Sequence, residues 1–235
     1  SSILTSEGIE SRGITTSHGV GVQVSIEEEG QLTSSWQSNS SRSKLIQVPN
    51  CVSRAVDWAK LTRDPIKVES SLDESPVLMT SEGFSPLFSV VVPNAIRGDK
   101  LARAESFWSG KMNQSVIAKD LNLVDDATIV GGRSSGSRDG EGVPTRCNSL
   151  IKSGKLVGSL WSTRDAAQQI AEGRIDSAKT TGSAIRSGHQ SPPISGCSNL
   201  FLTSSNKSYD LDGLLQEMNE GYVVNSVMGA HTANP

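Results

Sequence analysis

The clearest pattern in the chain is a strict alternation near its start. Val20, Val22, Val24 and Ile26 fall on one side of an extended segment, and Gly21, Gln23 and Ser25 on the other. A period of two predicts a half-buried strand. Glu27 to Gly30 reads as a turn and Gln31 to Gln37 as a returning strand, so a β-hairpin is expected. The period then changes. Val52, Ala55, Val56 and Ala59 recur at helical spacing, with Asn50 as the expected cap and Lys60 and Arg63 near the C-terminal end. Thr62 to Glu74 is a polar connection with a short strand expected near Ile66 to Val68, and it is the best candidate for a domain boundary.

Pro76 to Met79 predicts another short strand. Glu82 to Pro93 sends mixed signals. Pro86 suits a first helical turn, whereas Val90, Val91 and Val92 are β-branched and Pro93 lacks a donor, which predicts a break or kink near Pro93. A helical pattern resumes at Asp99, the expected cap, through Leu101, Ala102 and Glu105. Beyond Leu121 the texture turns to strands and glycine-rich loops. Leu123, Ala127 to Val130 and Leu150-Ile151 are strand-like, and Ile151 to Val157 reads as a hairpin turning at Ser153-Gly154. A helix is expected over Arg164 to Glu172, capped by Thr163, stopped at Gly173 and inward-facing through Ala166, Ala167 and Ile170. Gly182 to Gly196 is loop-like, Leu200 to Thr203 is strand-like, and Leu211, Leu214, Leu215 and Met218 form a stripe on a helix capped by Asp210 or Ser208. A last strand follows Gly221. The sum is an α+β fold with mainly antiparallel or mixed sheets, a few flanking helices and a β-rich C-terminal region.

Composition narrows the function classes. The 235 residues carry 22 Lys+Arg and 25 Asp+Glu, a net charge of -3, so binding of nucleic acid through bulk charge is not expected. No apolar run is long enough to cross a bilayer. Cys51, Cys147 and Cys197 are widely spaced and odd in number, which speaks against a disulfide scaffold and for a reducing, cytoplasmic setting. Neither end reads as a natural terminus, so the chain is expected to be a piece of a longer protein.

Three groups of residues are candidates for chemistry. The run Gly131 to Gly142 carries Arg133, Arg138, Asp139 and Glu141, whose amides and guanidinium groups suit either an anion-contacting loop or a purely structural one. No Lys-Ser/Thr pair follows it, which excludes a nucleotide-hydrolase phosphate loop. His18, His189 and His231 show no metalloprotease spacing, and His189 with Cys197 makes at most two ligands of a zinc site.

The order of segments carries more than any one of them. Leu123-Val124-Asp125-Asp126, the glycine run, Asp139-Gly140-Glu141-Gly142-Val143-Pro144-Thr145, Ser153-Gly154, the Thr163 to Gly173 helix, Thr181-Gly182-Ser183-Ala184 with Arg186, Asn199-Leu200 and Met228 to Pro235 with His231 resemble the TldD/PmbA family. They look like its TldE (PmbA) branch, in an archaeal-type version. The resemblance implies that residues 1–68 are the C-terminal portion of an N-terminal α/β domain and 69–235 a truncated β-rich C-terminal domain. In the TldD branch a helix-borne H-E-x-x-x-H holds zinc and activates water, work that needs imidazoles and a carboxylate. Here Ser89 stands where the first histidine would be, Val90 replaces the glutamate and Asn94 the second histidine. A hydroxyl and a neutral amide are poor zinc ligands, and valine cannot serve as a base.

The resemblance therefore implies a chain without catalytic activity of its own: a TldE-like subunit that pairs with a TldD-like metalloprotease subunit. Zinc is expected in that partner, not in this chain, and peptides or unfolded polypeptides are the expected substrates. Arg133, Arg138, Asp139, Glu141, Arg186 and His231 remain as substrate-contacting or structural loop residues. The family also carries the label modulator of DNA gyrase, to which the net acidity lends no support as direct DNA binding. Two rival readings stay open. One is an active zinc metallopeptidase with ligands from His189, His231, Cys197 or residues outside the chain. The other is a stand-alone binding or scaffold protein, monomeric or homodimeric.

Overall fold

The computed structural model describes residues 2–4, 6, 8–63, 66, 75–188, 190–205 and 209–229. The chain divides into two compact units, one of Arg12–Leu72 and one of Ser2–Ser11 with Asp73–Pro235. At the start, β1 (Ser2–Leu4) pairs with β2 (Glu10–Arg12).

The first unit is a hairpin with a helix laid on one face. Strands β3 (His18–Glu28) and β4 (Gln31–Ser41) run antiparallel, with Val22 opposite Gln37 and Glu28 opposite Gln31. Glu29 and Gly30 close the hairpin with φ of 49° and 78°. Two consecutive positive values suit the right-handed strand twist, and glycine takes the second without strain. The alternation of Val20 to Ile26 is seen directly, those four side chains being half-buried and their neighbours exposed. Helix α1 (Val48–Leu61) packs against both strands. It begins earlier than Asn50, because Pro49 sits in the first turn, where its missing N–H costs nothing. Its inward residues are Cys51, Ala55 and Ala59, and the expected Val52 is exposed. Small side chains on this face let the helix lie close to the sheet.

The second unit holds the larger core. Strand β5 (Val77–Met79) leads into α2 (Ser81–Ala95), capped by Thr80, whose hydroxyl accepts from the Gly83 amide at 3.3 Å. Helix α2 runs unbroken through Pro86 and Pro93 to Ala95, so the break expected near Pro93 does not occur. Burial outweighs the missing donors: Phe88, Val92 and Ala95 pack into the core cluster with Ile96, Trp108, Leu123, Leu150, Ile151, Leu156 and Leu160. The short α3 (Gly98–Ala102) follows, one residue before the expected start and with Asp99 inside its first turn. A Cβ on Gly98 would come 1.9 Å from the Trp161 ring, so only glycine permits this approach.

A four-stranded antiparallel sheet in the order β11-β6-β7-β8 backs the core. It comprises β6 (Leu121–Asp126), β7 (Cys147–Lys152), β8 (Lys155–Leu156) and β11 (Leu200–Ser204), with the tight β7–β8 turn at Ser153-Gly154. Ala127 to Val130, expected as strand, is a turn. The Asp126 carboxylate accepts from the Thr128 amide at 2.8 Å and its hydroxyl at 2.6 Å, and this local bonding outcompetes β-propensity.

Helix α4 (Thr163–Ala171) is capped one residue before Thr163, by Ser162, whose Oγ accepts from the Asp165 amide at 3.0 Å. Its buried face is Asp165, Ala166 and Gln169, while Ala167 and Ile170 are exposed. The segment expected as loop contains the small antiparallel pair β9 (Ala184–Ile185) and β10 (Ile194–Ser195). Helix α5 (Leu211–Met218) is capped by Asp210, and β12 (Tyr222–Val224) pairs in parallel with β5. The architecture is α+β with mostly antiparallel pairing, as the periodicities predict.

Candidate functional site

Helix α2 is pinned at both ends, which fixes where its side chains stand. At its start Thr80 donates its hydroxyl to Asn225 Oδ1 at 2.9 Å and its amide to Val224 O at 3.0 Å. At its end the chain straps to the neighbouring segment, with Leu160 N bonding Ile96 O and Gly98 N bonding Leu160 O, each at 2.9 Å. Just beyond lies a buried ionic hub. The Asp99 carboxylate, 3% exposed, accepts Arg97 Nε at 3.0 Å, Arg97 Nη2 at 2.8 Å and Arg103 Nη2 at 2.9 Å. Glu105 extends the network outward to Arg103 and Lys100. These two bases hold its carboxyl down at about 2.

Ser89, Val90 and Asn94, which the resemblance sets against the zinc motif, lie on this helix. Ser89 is exposed, and its hydroxyl donates to Pro86 O at 2.9 Å. Asn94 is half-buried, and its carboxamide donates to Val90 O at 3.1 Å. Both polar side chains bond carbonyls of their own helix one turn back. Val90 between them is apolar and half-buried. A hydroxyl, a carboxamide and an aliphatic group do not fit zinc, which needs imidazole, thiolate or carboxylate donors. Among the described residues no three His, Cys, Asp or Glu side chains group closely enough to hold a metal ion. His18 lies on β3 with its ring Nε2 2.9 Å from Lys44 O. His189 and His231 lie outside the described residues.

The glycine-rich loop is stitched from within by the residues that made it a candidate. Asp139 is buried; its Oδ1 accepts the amides of Glu141 at 2.9 Å and Val143 at 3.0 Å, and its Oδ2 accepts the Ala184 amide at 3.0 Å. Glu141 reaches the first turn of α4 and accepts the amides of Thr163 at 2.6 Å and Arg164 at 2.9 Å. A carboxylate at the positive end of a helix is well placed by charge and by unsatisfied donors alike. Arg138 donates to Gly142 O at 2.7 Å. Arg186 donates to Gly140 O and Ser191 O, both at 2.7 Å. Arg133 is exposed on the outer bend. Asp139, Glu141, Arg138 and Arg186 thus meet at one joint between β9 and α4.

Two further acidic positions escape motif reading. Asp125 is buried in β6, where its Oδ1 accepts the Ser198 amide at 2.7 Å and hydroxyl at 3.0 Å. Burial pushes its carboxyl above the usual range. Burial also pushes the neighbouring Cys197 thiol up to about 11, with the Asp125 charge adding to it. That is the opposite of an activated nucleophile. Cys147 is raised too, by burial and then by Asp126. All three cysteines are free. Asp165 is buried at the base of α4, accepting the Ser195 amide at 2.6 Å. The Asp99 hub did have a sequence signal, an Asp–Arg pair four apart on a helical pattern.

Residues 73–235 match the profile of the PmbA/TldA metallopeptidase C-terminal domain. The chain belongs to the PmbA/TldD family. An uncharacterized protein of Methanocaldococcus jannaschii is 25% identical over 194 residues, 83% of this chain and 42% of its own length. The metalloprotease TldD homolog of Haemophilus influenzae is 29% identical over 135 residues, 57% of this chain and 27% of its own. The crystal structure of TldE from Thermococcus kodakarensis has the same fold, with a TM-score of 0.82 at 22% identity, over 95% of this chain and 48% of that one. The chain thus spans less than half the length of these PmbA/TldD relatives.

Proposed function

We propose that this chain is part of a TldE-like, non-catalytic subunit of a two-component, TldD/TldE-type peptidase. The observation that carries the reading is the chemistry of helix α2: Ser89, Val90 and Asn94 offer neither a zinc ligand set nor a base, and the two polar groups are spent on their own helix. Zinc and water activation then belong to a TldD-like partner in the cytoplasm. This chain contributes a rigid wall to the assembly, fixed by the Thr80–Asn225 contact and the Asp99 hub. The substrates are peptides or unfolded polypeptides, gripped through backbone groups at a sheet edge such as the outer strand β11. No helix among the described residues is long and apolar enough to cross a membrane.

The test is co-expression of the full-length protein with a TldD-like chain, followed by size analysis, metal content and peptide hydrolysis. A heteromer with zinc in the partner, and hydrolysis only when both chains are present, is expected. Stoichiometric zinc in this protein alone, with hydrolysis that chelation abolishes, would overturn the reading in favour of an active metallopeptidase. A monomer or homodimer that ignores the partner would favour a stand-alone scaffold. Photo-crosslinking a peptide to the assembly tests the grip, which fails if no adduct forms on this chain.

A further inference from the structure

The β3–β4 hairpin has one covered face and one open face. Helix α1 packs against both strands, and the half-buried positions Val20 to Ile26 mark the side it covers. On the other side every position, from Gly19 and Ser40 to Glu27 and Leu32, is exposed. Two of these side chains are large and apolar, Trp36 at 60% exposed and Leu32 at 71%. The rest are glycine, serine, glutamine and a single charged residue, Glu27.

Trp36 has a built seat. A Cβ on Gly21 would come 2.4 Å from its Cη2 and 2.7 Å from its Cζ2, so the indole lies over the glycine backbone and only glycine leaves it that space. A ring held on the sheet with its outward side in water is a rigid anchor that loses little freedom when something covers it. Its π-system attracts the guanidinium of Arg or the ammonium of Lys. The charge on this face has the matching sign. Glu27 has no ion pair among the described residues, whereas Glu28, on the side facing α1, is bonded to Arg63. Glu29 in the adjoining turn adds a second carboxylate, and no Lys, Arg or His belongs to the open face. Leu32 stands opposite Glu27, where the alkyl stem of a long base can lie while its head meets the carboxylate.

The ladder sets the spacing. Trp36 is opposite Gln23 and Leu32 is opposite Glu27, so the two attractive points lie four residues apart along the hairpin, about 13 Å. In an extended peptide, side chains four apart share a face and have that same separation. Ser25 and Ser34, opposite each other between the two points, leave room for the residue in the middle. We propose that this face docks an extended segment of a polypeptide substrate with Arg or Lys at positions i and i+4, one base over the Trp36 indole and the other at the Glu27 carboxylate. In a helical segment the same two residues are only about 6 Å apart along the axis and cannot reach both points. An acidic segment meets repulsion at Glu27 and Glu29. Calling the peptide a substrate rests on the peptidase reading; the docking face itself does not.

Full-length protein labelled with fluorotryptophan is titrated with acetyl-Arg-Thr-Ser-Thr-Arg-amide and followed by fluorine NMR, the Trp36 resonance being assigned by its loss in Trp36→Phe. A saturable shift of that resonance is expected. Isothermal titration then gives an affinity that falls about two- to fivefold in Trp36→Ala and by up to about fivefold in Glu27→Gln, both at exposed positions that do not threaten folding. Acetyl-Arg-Thr-Ser-Arg-Thr-amide, whose bases point to opposite faces, and acetyl-Glu-Thr-Ser-Thr-Glu-amide are expected to bind more weakly. No shift at Trp36, equal affinity for either control peptide, or an affinity that Trp36→Ala leaves unchanged overturns the proposal. Binding is read without a partner chain, so a protein that binds the peptide but never joins a hydrolysing heteromer keeps the docking face and overturns only the peptidase reading.

Discussion

Replacing Asp99 by alanine tests whether the ionic hub beyond α2 holds that helix in place. The substitution removes the acceptor for three charge-assisted bonds of 3.0, 2.8 and 2.9 Å from two guanidinium groups. It leaves the Arg97 side chain, 17% exposed, without that anion, and the Arg103 side chain, 26% exposed, with Glu105 alone. Removing one partner of a buried ion pair costs about 3–5 kcal/mol, and the partial access of both arginines to water places this case at the low end, about 3 kcal/mol. For a domain of this size each kcal/mol moves Tm by about 2–4 °C, so a fall of about 6–12 °C is expected. Asp99→Asn keeps one acceptor and the volume but not the charge, and is expected to lose about 2 kcal/mol. Urea titration of the full-length protein with an unchanged m-value separates lost stability from an altered unfolded state. Hydrogen exchange should quicken first at the Ile96–Leu160–Gly98 strap. A double cycle of Asp99→Asn with Arg103→Met should show coupling above about 1 kcal/mol. A Tm change under about 2 °C for Asp99→Ala, with no coupling in the cycle, would refute the reasoning.

Three other substitutions probe the joint and the core. Glu141→Ala removes two charged caps from α4 and is expected to cost about 1–2 kcal/mol, with faster amide exchange at Thr163 and Arg164 as the local readout. Gln169→Met should raise the urea midpoint by the equivalent of about 1–2 kcal/mol, because Gln169 is fully buried and neither its Nε2 nor its Oε1 has a partner among the described residues. Asp125→Asn should be neutral or stabilising at pH 7, since asparagine Oδ1 keeps both Ser198 bonds while the cost of burying a charge disappears. The sign follows from the raised carboxyl: the folded state holds its proton to higher pH than the unfolded state, so the wild type loses stability as pH rises from the unfolded value through the raised one. The advantage of Asp125→Asn should therefore vanish in acid, and an advantage that grows as pH falls would contradict it.

Local pattern was enough wherever a single period or a single turn decided the outcome. The β3–β4 alternation, the turns at Glu29-Gly30 and Ser153-Gly154, the Asp210 cap and the α+β class follow from side-chain direction and backbone freedom, which act over a few residues. That the hydroxyl of Ser89, the carboxamide of Asn94 and the aliphatic Val90 are poor zinc ligands is a matter of residue type and needs no coordinates. What sequence could not decide depended on distant partners. Helix α2 passes through two prolines because Phe88, Val92 and Ala95 bury against strands far along the chain. Asp139, Glu141, Arg138 and Arg186 suit either a ligand-contacting or a structural loop in one dimension; in three their charges are directed to backbone groups of β9, α4 and the loop itself. Gln169 replaces Ile170 on the inner face of α4 because the helix is rotated by its Ser162 and Asp165 anchors rather than by its apolar stripe. Periodicity reports the faces a segment can present; which neighbour each face meets is set by long-range packing and hydrogen bonds that no local window contains.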